Sequence, residues 1–126
     1  MPQIELSAVK GLVQKTGQGF ADADVQIDSL TGGNLDLTAA TTTAAARGAL
    51  VHSVTATQAR DFKLHGTAQG ATKGQIKIIL SQDANDLTLR NAAGAEVTPS
   101  TVLTNEGDMA ICVFNGTTWV CGHAIG

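Results

Sequence analysis

From residue 24 onward, apolar and polar positions alternate with a period of two. DVQIDSL alternates through Val25 and Ile27, and NLDLT through Leu35 and Leu37 after a Gly32-Gly33 turn. ALVHSVTAT places Leu50, His52, Val54 and Ala56 on one face and Val51 on the other. The same spacing predicts inward faces of Phe62 and Leu64 in DFKLHG, Ile76, Ile78 and Leu80 in QIKIILS, and Leu87 and Leu89 in DLTLRN. TVLTN, DMAICVF and TTWVCG close the chain. Turn signals separate the runs: Gly66, Gly70 and Gly74, the stretch 83 to 86, Asn91 to Gly94, Asn105 to Asp108, and Asn115-Gly116. Short strands at roughly ten-residue spacing predict an all-β fold, a small antiparallel β-sandwich or jelly-roll-like barrel over residues 24 to 126. No internal repeat of solenoid period is evident.

Residues 1 to 23 read differently, as an N-terminal arm. Leu6, Val9, Leu12 and Val13 recur at intervals of three to four, and Gly17 stands where a helix would stop. Gly11 weakens a short helix and leaves a pair of extended pieces open. With Ile4, these apolar residues are candidates for docking on a neighbouring subunit or for completing the chain's own domain. LTAATTTAAARG, from Leu37 to Gly48, is expected to form an ordered but irregular connection, a strand pair, or a loop lying on a partner.

The sharpest local signal is GDMAICVFNGTTWVCG, a hairpin about Asn115-Gly116. A two-residue turn would set Phe114 against Thr117 and Cys112 against Trp119. A four-residue loop sets Phe114 against Trp119 and Cys112 against Cys121. The second register is preferred because it pairs two aromatics on one face. It brings the cysteines within bonding range; buried free thiols are the preferred state, with a disulfide as the alternative.

Composition narrows the function. The 126 residues carry 8 basic and 11 acidic side chains, a net charge of −3; charged residues are 15% of the chain and aromatics 3%. An acidic balance argues against binding nucleic acid through its phosphates. No basic segment leads into an apolar one, so no signal peptide is read, and no apolar stretch approaches the ~18 residues of a membrane span. The chain is therefore expected to be made in a cytoplasm. Cys112, Cys121 and His123 are too few and wrongly spaced for zinc. Asp22, Asp24, Asp28 and Asp36 lack the glutamate that completes a calcium loop and read as solvated strand and turn residues. His52, His65 and His123 have no nucleophile motif beside them, and His52 reads as a hydrogen-bonded inner or interface residue. No glycine cluster spaces as a phosphate cradle. Neither a catalytic residue, a metal site nor a cofactor is expected.

The stretch FKLHGTAQGATKGQIKIILSQDANDLTLRNAAG…VLTNEGDMAICVFNGTTWVCG resembles a pattern common in structural proteins of tailed bacteriophages. The matching positions are Phe62, Gly74, Ile76, Leu80, Leu87, Leu89, Asn91, Leu103, Gly107, Asp108, Phe114, Gly116 and Trp119. They cover about residues 60 to 122, roughly half the chain. Such modules occur in capsid decoration (cement) proteins and in tail-fibre or tailspike tips, commonly as trimers. A single small module without a shaft is expected to be a decoration protein. The resemblance thus implies a homotrimer on the outer capsid surface of a virion, bridging and stabilising subunits of the major capsid protein. The alternative is a tail-fibre or tail-tip module that binds a host glycan or receptor.

Overall fold

The computed structural model describes residues 3–7, 11–16 and 25–124. Strands β1 (Gln3–Ser7) and β2 (Gly11–Thr16) pair antiparallel as a hairpin with its own two-stranded sheet. This segment is therefore extended, not helical: of the two conformations its spacing left open, the one compatible with Gly11 is adopted. Leu6 pairs Leu12 and Glu5 pairs Val13, while Val9 lies outside the described residues.

The remaining strands are β3 (Val25–Leu30), β4 (Leu35–Asp36), β5 (Val51–Ala56), β6 (Arg60–Lys63), β7 (Ile76–Ser81), β8 (Leu87–Arg90), β9 (Val102–Leu103), β10 (Met109–Phe114) and β11 (Trp119–Ala124). They form two open mixed sheets, one ordered β11-β10-β7-β5-β3 and the other β4-β6-β8-β9. The expected all-β character is present, but the antiparallel pairing expected with it is not: both sheets are mixed. β3, β5 and β7 run parallel, as do β4, β6 and β8. Alternation along a strand records which face is buried and carries no information on the direction of its neighbour.

The parallel ladders reveal a repeat that the residues hide. Val25 pairs Val51 and Val51 pairs Ile78, at offsets of 26 and 27 residues. In the second sheet Leu35 pairs Phe62 and Phe62 pairs Leu89, each 27 apart. Three two-strand rungs, β3-β4, β5-β6 and β7-β8, are thus stacked in register. β10 and β11 then run antiparallel along β7, and β9 runs antiparallel along β8, so parallel stacking ends after the third rung. At the other end β3 and β4 are the edge strands of their sheets.

One core lies between the sheets. Leu30, Leu37, Val54, Phe62, Leu64, Ile79, Leu87, Leu89, Leu103, Phe114 and Trp119 are buried in a single cluster. Fully burying each large side chain contributes about 1.5–3 kcal/mol. The Ala/Thr connection supplies a one-turn helix, α1 (Ala44–Gly48), whose N-cap Thr43 accepts a hydrogen bond from the Ala46 amide at 3.1 Å. The Arg47 side chain donates to the carbonyls of Leu37 (2.8 Å) and Ala39 (2.8 Å), which fixes the Thr-rich turn that periodicity left undefined.

Candidate assembly surface

The two sheets present opposite chemistry to their surroundings. On the four-stranded sheet four outward positions, Asp36, Asp61, Lys63 and Arg90, are charged and paired within the chain, beside the uncharged Thr88 and Val102. Arg90 Nε lies 3.0 Å from an Asp61 carboxylate oxygen and Lys63 Nζ lies 4.0 Å from Asp36. Partial burial alone would raise the Asp36 carboxyl, but hydrogen bonds from Thr38 and the Lys63 charge hold it below its ordinary range. Exposed pairs of this kind contribute little stability, about 0–1 kcal/mol, and suit a solvated face.

The five-stranded sheet turns an apolar face outward. Strand pairing arranges it in rows: Val25, Val51, Ile78 and Ile111 in one, and Ile27, Leu80 and Met109 in a second with Ser53 between. Ile76, Val113 and Val120 form a third. Ile27 is 79% exposed, and Val25, Ile76, Ile111, Val113 and Val120 are all exposed. No charged side chain occupies an outward position of β3, β5, β7 or β10 among the described residues. Contiguous apolar patches of this kind are uncommon on monomers and mark interaction sites.

Ile76, Ile78 and Leu80 are members of this face, which corrects the expected orientation of β7. The inward residues are Lys77, Ile79 and Ser81. The cause is a buried polar line that crosses all three rungs. Asp28 Oδ2 lies 2.9 Å from His52 Nδ1, and Lys77 Nζ lies 2.8 Å from His52 Nε2. Lys77 Nζ also donates to the carbonyls of Ala49 (2.7 Å) and Ala46 (3.3 Å). His52 donates from Nδ1 and accepts at Nε2, the tautomer this network requires. Burial lowers the His52 pKa despite the Asp28 hydrogen bond, and the Lys77 charge lowers it further. Burial brings the Lys77 ammonium down to about 8. Asp28, expected as a solvated residue, belongs instead to this interior line; Asp22 and Asp24 lie outside the described residues.

The C-terminal hairpin holds the far edge of the face. It adopts the four-residue loop, with Phe114 opposite Trp119 and Cys112 opposite Cys121. Asn115 Oδ1 accepts hydrogen bonds from the amides of Thr117 and Thr118, each at 2.9 Å, and Gly116 takes a φ of 102° that disfavours any residue with a Cβ. Cys112 and Cys121 are joined as a disulfide, so the expectation of free thiols gives way to its alternative. Close cross-strand placement in this register brings both sulfurs to the same inward face. Trp119 is fully buried, its ring 5.3 Å from that of Phe114 and its Nε1 donating to the His65 carbonyl at 2.7 Å. Its ring therefore offers no exposed stacking platform. A cleft of about 400 Å³ lies beside it, lined by His65, Gln69, Asn91 and Thr117 among others. His65 is buried and its Nδ1 makes no hydrogen bond; burial, with the Lys77 charge, pulls its pKa to about 4. Among the described residues no group of three or more His, Cys, Asp or Glu is placed to hold a metal ion.

Of the residues singled out in the sequence, Cys112, Phe114, Asn115, Gly116, Trp119 and Cys121 are brought together in this hairpin. Ile4, Leu6, Leu12 and Val13 lie on the separate β1-β2 hairpin. The outward apolar face was missed, although QIKIILS and DMAICVF carry its signal. DMAICVF is apolar on both parities, the signature of a strand covered on two sides, and QIKIILS concentrates its aliphatic residues on the parity that turns outward. Compared with protein-family models, with curated proteins and with solved structures, the chain finds no match in any of the three.

Proposed function

We propose that the chain is a virion structural protein that binds the outer capsid surface as an oligomer and bridges and stabilises major capsid subunits. The observation that carries this is the contrast between its outer faces. A small β-sandwich, as we read the module, with one charged, internally paired face and one uncharged apolar face has a solvent side and a partner side. The phage-like pattern between residues 60 and 122 supplies the biological setting. Many copies on a repeating lattice would sum modest contacts into a durable shell. Residues Ile4, Leu6, Val9, Leu12 and Val13 are a second proposed contact.

Co-sedimentation with expanded capsids tests the proposal. The protein should pellet with capsids and map to the outer shell of labelled particles. Recovery in the supernatant, or label confined to the tail, would overturn it. Deleting residues 1–16 should weaken pelleting while leaving the β-rich circular dichroism spectrum in place.

A further inference from the structure

Resting on that reading, we infer that the occupant of the apolar face is a second copy of this chain, packed sheet against sheet. Three observations select it. First, the face carries no charge at the outward positions of β3, β5, β7 and β10, so apposing two copies brings no like charges together even though each chain has a net charge of −3. A charged partner would find nothing there to complement. Second, the size fits a weak, reversible contact. Five strands of six residues, about 4.8 Å apart and rising about 3.3 Å per residue, make a face of roughly 24 by 20 Å, on the order of 480 Å² in projection. That is below the roughly 800 Å² per partner of a standard interface and in the range of transient contacts, which bury less than about 600 Å² per partner. Association should therefore be weak, dissociating on dilution and sustained on a lattice by many copies. Third, the exposed side chains are β-branched: Val25, Ile27, Ile76, Ile111, Val113 and Val120. Stiff side chains lose little rotamer freedom on burial and interdigitate between sheets about 10 Å apart.

Ile111 is the central probe. It sits on β10 between β7 and β11, opposite Ile78, and is exposed. Light scattering coupled to gel filtration, on the full chain from 1 to 100 µM, should show an oligomer at the upper concentrations that dissociates at the lower. Ile111→Lys should be monomeric throughout, with an unchanged far-ultraviolet spectrum. Ile111→Thr keeps a β-branched residue and decides the matter where the lysine variant fails to fold; it should weaken association at least tenfold. A wild-type monomer at 100 µM overturns the inference, as does a folded variant that remains oligomeric. A chain that oligomerises only after residues 1–16 are deleted also overturns it, since its own N-terminal segment would then be the occupant. The failure of this inference is distinct from failure of the capsid role: a wild-type protein monomeric in solution that still pellets with capsids leaves the capsid role standing and removes only the self-contact.

Discussion

Replacing Asp28 with alanine should cost about 3 kcal/mol, a large fraction of the 5–15 kcal/mol that holds a domain folded. Asp28 is 8% exposed, and His52 and Lys77 are wholly buried. Its carboxylate accepts the His52 Nδ1 proton at 2.9 Å and is the one acidic group in the line that ends on the Lys77 ammonium. Without it a buried N–H has no acceptor and a buried positive charge has no counter-charge. Breaking a buried pair generally costs 3–5 kcal/mol. The lower end applies here, because Lys77 keeps the carbonyls of Ala46 and Ala49. Asp28→Asn preserves an acceptor oxygen and should cost about half as much. Replacing the whole line (Asp28→Val, His52→Leu, Lys77→Met) removes every desolvated polar group together and should return stability to within about 1 kcal/mol of wild type. Urea unfolding followed by the fluorescence of Trp119, the sole tryptophan, measures all three. With a slope near 1.5 kcal/mol/M, Asp28→Ala should move the midpoint down by about 2 M. A shift below 0.5 M would refute the claim that this line is a paired interior network, and so would a triple variant less stable than Asp28→Ala.

Four further outcomes follow from the same structure. His65 titrates at about 4 in the folded chain against 6.5 when unfolded, so the unfolded state takes up its proton first as pH falls. Stability should be flat from this group above pH 6.5 and drop by up to roughly 3 kcal/mol between pH 6.5 and 4, with His52 adding in the same direction; urea midpoints across that range read it, and His65→Phe should flatten the slope. Lys77 acts on the alkaline side: its folded value of about 8 against 10.5 means stability rises with pH between those values, by at most about 3 kcal/mol, and a falling midpoint between pH 8 and 10 would contradict it. Reducing Cys112–Cys121, nine residues apart in sequence, should lower stability by about 2–3 kcal/mol by restoring freedom to the unfolded loop, seen as a lower melting temperature with a phosphine reductant. Gly116→Ala should cost about 1 kcal/mol or more, because φ near 102° strains any residue with a Cβ; an unchanged melting temperature would mean the turn rearranges.

Local chemistry was legible in the sequence, and pairing at a distance was not. β5, β6 and β8 were readable because His52, Val54 and Ala56, then Phe62, Leu87 and Leu89, alternate cleanly and are buried. The hairpin register was readable because only a four-residue loop sets the two aromatics directly opposite each other and the two cysteines likewise. The rung spacing was hidden because registered positions differ in kind: Gln26, His52 and Ile79 stack, as do Asp28, Val54 and Ser81. β7 was inverted in expectation because apolar count favoured Ile76, Ile78 and Leu80 as the inner set. The interior instead takes Lys77, whose ammonium finds two carbonyls and an imidazole there, and that choice turns three aliphatic side chains outward. The candidate surface is thus a by-product of a polar requirement in the core, which hydropathy alone does not register.

The stacked rungs have unequal ends. Behind β7 and β8 the chain reverses, and the hairpin and β9 consume the hydrogen-bonding edges that a further parallel rung would need. Ahead of β3 and β4 both edges remain those of outermost strands in their sheets. The in-register parallel stack is therefore extensible in one direction. Among the described residues, a grafted unit of about 27 residues placed upstream of Val25 would meet the outermost strands β3 and β4 in the register of the rungs. The same unit fused after Ala124 would meet β11 and β9, of which β9 runs antiparallel to the rungs, so the parallel ladder is not continued there. Lengthening this protein is a question of polarity along the stack, and its N-terminal side is the one on which engineering, or evolution by duplication, has room to work.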